Sequence, residues 1–128
     1  MNYRGTVIEE SLEDTSVLGR MKVLGSKVVQ ATPRHNTPWL KQWTLDTVEI
    51  EEDEMASVAE AVCASIDRRH AGSWYADFSN ERNHYVIFRG RVFLIDRRDK
   101  AQYDEAVRYG LSIGIPPHQL DFSNDLMA

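Results

Sequence analysis

Asp77 and His84 stand on either side of a polar stretch at 79–83, with Trp74 and Tyr75 just upstream. A carboxylate and an imidazole in contact form an oriented general base, so this patch is the chain's most varied chemical cluster. If the β-prone segments 74–78 and 84–88 pair across the loop, Asp77 comes within reach of His84 or Tyr85. An acid near a strand end beside tyrosines is more commonly a structural hydrogen-bond partner, and the sequence does not fix the register across 79–83. No residue is therefore assigned a catalytic role. A small hydrolase or nuclease-like enzyme using Asp77 and His84, with Tyr75 as a further candidate, stands as the alternative to a binding function.

A second group suggests binding. Arg89 and Arg91 flank Gly90 at what reads as a hairpin tip, where two guanidinium forks clamp a phosphate or carboxylate. Exposed turn arginines without a ligand are also common. The stretch TPRHNTPWLKQW, residues 32–43, brings Trp39 and Trp43 four positions apart behind Pro38. Thr37 followed by Pro38 resembles a helix start, which turns both indoles the same way. The favoured reading is a lid over one end of the core; the other makes one indole, with Arg34, His35 or Lys41, a ligand wall. The candidate ligand site is thus Trp39, Trp43, Trp74, Tyr75, Asp77, His84, Arg89 and Arg91, suited to a small anionic ligand or a protein partner.

Several function classes fall away. There is no phosphate-binding Gly-x-x-x-x-Gly-Lys-Ser/Thr, no Gly-x-Gly-x-x-Gly, no Gly-x-Ser-x-Gly and no His-Glu-x-x-His. His35, His70, His84 and His118 are scattered and Cys63 is the single cysteine, so neither a zinc-ligand spacing nor an internal disulfide exists. No metal or cofactor is expected, and Cys63 reads as a small core residue. A net charge of -5 argues against non-specific nucleic-acid binding, which draws affinity from neutralised phosphates. The absence of a signal-like apolar stretch and of a membrane-length one points to a cytoplasmic protein.

These residues need a scaffold, and 128 residues suffice for one domain. Residues 3–10, 21–32 and 43–50 read as strands, the second bent or bulged around its glycines. Met55, Val58, Ala59, Val62, Cys63 and Ile66 form a helical stripe. Acids at 51–54 precede it, Arg68, Arg69 and His70 follow, and Gly72 offers a stop, which accounts for most of the acidic cluster. In 73–97 three further strands are expected. With Arg89-Gly90 as a two-residue loop, Phe88 faces Arg91, and Tyr85, Ile87, Val92 and Leu94 share one face. A last helix begins at Asp99, with Tyr103, Ala106, Val107, Gly110 and Leu111 as its stripe and Gln102 in a capping box.

The order βββαβββα predicts an α+β domain over 1–128: an antiparallel sheet of five or six strands with two helices on one face. The other face of the hairpin, carrying His84, Val86, Phe88, Arg91, Phe93 and Ile95, is too apolar to stay wet. On this reading a partner, a second copy or a ligand covers it, with a homo-oligomer, a dimer first, as the favoured form. The strings PWLKQWTLDTVEI, WYADFSNERNHYVIFRGRVFLIDR and YGLSIGIPPHQLDF resemble a family of small uncharacterised prokaryotic proteins of unknown function. That resemblance implies one cytoplasmic, bacterial-type domain and brings no activity or site residue with it.

Overall fold

The computed structural model describes residues 1–120 and 122. Six strands form one antiparallel sheet: β1 (Tyr3–Ile8), β2 (Lys22–Gln30), β3 (Gln42–Ile50), β4 (Tyr75–Ser79), β5 (Asn83–Phe88) and β6 (Arg91–Asp96), in the order β2-β3-β1-β4-β5-β6. Helix α1 (Met55–Ser65) lies between β3 and β4 in sequence, and α2 (Lys100–Ser112) follows β6. The α+β class and the order βββαβββα are as the sequence predicts.

Local chemistry explains most boundaries. The β5–β6 hairpin closes on Arg89-Gly90 with Phe88 opposite Arg91, and Gly90 takes the positive φ, 81°, that such a loop demands. At β2 the register slips between Val23 and Gly25, the bulge expected of a glycine-bearing strand. The Asp99 carboxylate accepts from the Ala101 and Gln102 amides and starts α2. Gln102 reaches back one turn further than a capping box requires, and its Oε1 accepts from the Asp96 amide.

Three expectations need correction. First, the helices take opposite faces. α1 packs with Tyr3, Val7, Val48, Phe78, Tyr85 and Ile87, whereas α2 packs with Val86, Phe88, Phe93 and Ile95. Period-two alternation puts Tyr85 and Ile87 on one side of β5 and Val86 and Phe88 on the other, so each face is apolar enough to hold a helix. Tyr103 and Ala106 of α2, with Ile115, Leu120 and Phe122, complete the second core. The hairpin's reverse side is therefore covered by the chain itself, and the argument for a dimer through that surface falls.

Second, α1 does not stop at Gly72. It ends where Ile66 turns extended, and Ile66 bridges to Leu12. Gly72 instead lies against the C-terminal segment, where a Cβ would stand 2.3 Å from the Ile113 carbonyl oxygen. Third, the loop's helical turn is Pro33–His35, not one begun by Thr37, and Leu111 is exposed rather than part of the buried stripe.

Because α2 lies over β4, β5 and β6, the same face above β1 and β3 stays partly open. Thr6 there is exposed, and Ile8, Trp43 and Leu45 are half-buried. This asymmetry of cover creates the site.

Candidate functional site

Asn80 sets the geometry at the β4–β5 turn. Its Oδ1 accepts from the Arg82 and Asn83 amides, its own amide donates to the Asn83 carbonyl, and its Nδ2 donates to the Met1 carbonyl. The turn so closed pairs Ser79 with His84 and Asp77 with Val86, which makes Asp77 and His84 diagonal neighbours on the α2 face.

They meet. His84 Nε2 lies 2.7 Å from Asp77 Oδ2, and His84 Nδ1 lies 2.9 Å from the Tyr103 hydroxyl. An ionised carboxylate only accepts, so Nε2 donates to Asp77, while Nδ1 is paired with the Tyr103 hydroxyl. The order of burial is the important point: His84 is 0% exposed, while the Asp77 side chain is 31% exposed. In a catalytic dyad of the usual sense the imidazole faces the substrate and the acid stands behind it. Here the positions are reversed, and Asp77 is the group that meets solvent.

Asp77 faces a cleft of about 290 Å³, lined also by Thr6, Ile8, Trp43, Leu45, Ser73, Trp74, Tyr75 and Gln119. Thr6 is the register partner of Asp77 across β1 and β4. The Tyr75 hydroxyl donates to the Gln119 carbonyl, tying the post-α2 segment to the sheet at the cleft's edge. The size lies near the lower limit for ligand pockets, roughly 300–1,000 Å³, and the wall is aromatic with few polar groups.

The 32–43 stretch is both lid and wall, divided between its two indoles. Trp43 is on β3, stacked under His35 at 4.2 Å, with Nε1 donating to the buried Thr37 hydroxyl. His35 is held in turn by the Thr32 amide, which donates to its Nδ1. Trp39 does not line the cleft; it stacks on His70 at 3.7 Å and meets Trp74 edge-on. Trp74 is 1% exposed and packs against both. The loop is anchored by the Arg34 carbonyl, which accepts from His118 Nε2 and Gln119 Nε2.

The predicted site residues thus divide. Trp43, Trp74, Tyr75 and Asp77 line one cleft with His84 behind Asp77, while Trp39 packs elsewhere. Arg89 and Arg91 do not form a clamp. Arg89 donates to the Ile66 carbonyl on the α1 side, and Arg91 lies over the Phe93 and Tyr109 rings on the α2 side, 4.5 and 5.4 Å from their centroids. Arg89 is inside the two-residue loop while Arg91 is the first residue of β6, so the two need not share a direction, and here they do not. Sequence reasoning missed Thr6 and Gln119, which carry no local signal, and the role of Tyr103. Tyr103 was legible as a stripe residue, and a phenol buried on a helix needs a polar partner across the interface.

A larger concavity of about 540 Å³ on the other face is lined by Glu10, Leu12, Glu13, Asp67, Arg68, Arg69 and His70. Glu10, Glu13, Asp67, Arg68 and His70 already have partners within the protein. Glu13 binds Arg68, whose amide hydrogen bond above all holds the Glu13 carboxyl below its ordinary value; Glu10 accepts from the Thr44 amide and hydroxyl; and Asp67 lies 2.7 Å from His70 Nδ1. Burial pushes the Asp67 carboxyl up, but hydrogen bonds from His70 and the Arg69 amide outweigh it and leave the group lowered. The Trp74 indole N–H adds to that lowering, although it makes no hydrogen bond of normal geometry. A groove whose ions already pair among themselves offers a ligand little. Among the described residues no three His, Cys, Asp or Glu side chains gather closely enough to hold a metal, and no helix is long and apolar enough to cross a membrane. Comparison of the chain with protein-family models, with curated proteins and with solved structures finds no match.

Proposed function

We propose that the protein is a small-ligand-binding module whose site is the cleft between β3, β1 and β4, with Asp77 as the acceptor for a hydrogen-bond donor on the ligand. One observation supports this above the others: a half-exposed carboxylate stands at an aromatic cleft while its second contact, His84, is sealed behind it. Such backing fixes the carboxylate's orientation before any ligand arrives, which lowers the ordering cost of binding. The aromatic walls supply area, and Thr6, Ser73 and Gln119 supply further polar contacts. The reading does not extend to an anion clamp, since Arg89 and Arg91 lie apart, nor to a dimer through the covered hairpin face. It fits a cytoplasmic protein with one free thiol.

Saturation-transfer NMR with phenol, indole, benzyl alcohol and benzylamine tests it. Fragments bind the wild type, and Thr6→Trp, which fills the cleft from an exposed position, abolishes their signals. Binding that survives this blockade overturns the assignment.

The Asp77–His84 contact also favours a second reading, in which Asp77 is a general base in a small hydrolase. His84 cannot touch a substrate from its buried position, so the role falls to Asp77 alone. That reading requires turnover of p-nitrophenyl acetate or of a bis-p-nitrophenyl phosphate probe that Asp77→Asn removes. Equal rates in both proteins would end it.

A further inference from the structure

We infer that the ligand class of this cleft is an organic cation, a primary or substituted ammonium carried on an apolar or aromatic body. The inference rests on the binding reading above and adds to it the sign of the charge.

The charge inventory of the cleft supplies the argument. Of the described residues lining it, Asp77 alone bears a formal charge; the rest are Thr, Ser, Gln, aliphatic or aromatic. Of the cations on the strands of this face, Arg4 is held by Glu49, 2.9 Å away, Lys22 is the register partner of the same Glu49, and Lys27 on β2 is three strands from β4, hence about 14 Å away across the sheet. Arg34, His35 and His118 belong to the contacts around Gln119 and Trp43 at the cleft's edge, and none of the three lines it.

The walls suit the body of such a ligand: Trp43 and Tyr75 offer half-buried aromatic surface beside the carboxylate, while Trp74 is 1% exposed and one face of Trp43 is taken by His35. A neutral donor gains only a hydrogen bond from this arrangement. A cation gains the hydrogen bond and the Coulomb attraction, and the carboxylate repels an anion. The chain's net charge of -5 adds a long-range bias of the same sign.

The test compares benzylammonium, benzyl alcohol and benzoate, which share a ring and differ in charge, by following the Trp43 and Trp74 indole signals in ¹⁵N NMR titrations. Benzylammonium is expected to bind about tenfold more tightly than benzyl alcohol, with benzoate weakest, and to lose its advantage as salt rises to about 0.3 M. Asp77→Asn keeps the side chain's shape and an acceptor for His84, and should bring amine and alcohol to equal affinity. Thr6→Lys, which adds a positive charge at an exposed position beside Asp77 and leaves the His84 contact alone, should do the same if Asp77→Asn folds poorly. Equal wild-type affinity for amine and alcohol, or preference for benzoate, overturns the cation class while the site itself stands. If none of the three probes moves the cleft's signals at about 10 mM, the binding site reading fails along with it.

Discussion

Gly5 gives the sharpest test of how the sheet positions Asp77. It lies in the middle of β1 between β3 and β4, opposite Val48 and Phe78. A Cβ at this position would stand 2.2 Å from the Asp77 carbonyl oxygen and 2.8 Å from Phe78 Cδ1. The first neighbour is backbone and cannot rotate away, so Gly5→Ala must push β4 off β1 by more than an ångström. Overpacking of this kind costs about 1–3 kcal/mol. The β1–β4 ladder, which runs over Arg4 to Thr6 on one side, weakens as well, and each hydrogen bond there is worth about 1 kcal/mol. Against this stands a gain of about 0.4–1 kcal/mol from the stiffer unfolded chain. The expected net loss is about 2–4 kcal/mol, a large part of the roughly 5–15 kcal/mol total of an ordinary domain. Urea unfolding followed by tryptophan fluorescence reads it as a lower midpoint at unchanged slope. Gly25→Ala is the control: nothing lies within 4 Å of its Cβ, and its stability should stay within about 0.5 kcal/mol of wild type. If Gly5→Ala is as stable as Gly25→Ala, the close approach of β1 and β4, and with it the placement of Asp77, is wrong.

Phe88→Ala removes a fully buried ring beneath α2 and should cost about 3–5 kcal/mol in the same assay, whereas an uncovered hairpin face would show a loss near zero. Asp99→Ala deletes the α2 cap and should cost about 1 kcal/mol, read as a lower Tm with intact near-ultraviolet dichroism. Asp46 above all, then burial and the charge of Glu10, raise the Glu9 carboxyl above its ordinary value. Its contribution to stability is therefore fully present below that ordinary value and is lost as pH climbs through the raised folded value. Glu9→Gln should remove this component, so that its unfolding midpoint falls less than the wild type's between acid and neutral pH; parallel profiles would contradict the raised Glu9 carboxyl.

How much of this was legible in the sequence depended on the range of the interaction. The β5–β6 register followed from two turn residues flanked by alternating apolar positions, and the structure pairs Phe88 with Arg91 as that pattern requires. The α1 and α2 stripes and the Asp99 cap are local in the same way. Periodicity tells which side of α2 is buried but not which face of the sheet receives it, and β5 is apolar on both. That ambiguity produced the error over the helices. Asp77 and His84 were suspected from residue type, yet their contact depends on the Asn80 turn, whose register no short-range pattern fixed. Their roles depended on burial, a tertiary property: only once α2 is seen over β5 does His84 become the hidden partner and Asp77 the exposed one. The arginine clamp fails because adjacency in a hairpin does not impose a shared direction.

The most direct test is a crystal structure of the protein grown with benzylammonium. The account predicts its nitrogen within hydrogen-bond distance of an Asp77 carboxylate oxygen, its ring against Trp43 or Tyr75, and the His84 contacts to Asp77 and Tyr103 unchanged. A saturating ligand found at another surface, or a cleft left empty beside it, would contradict the assignment of Asp77 as the binding group.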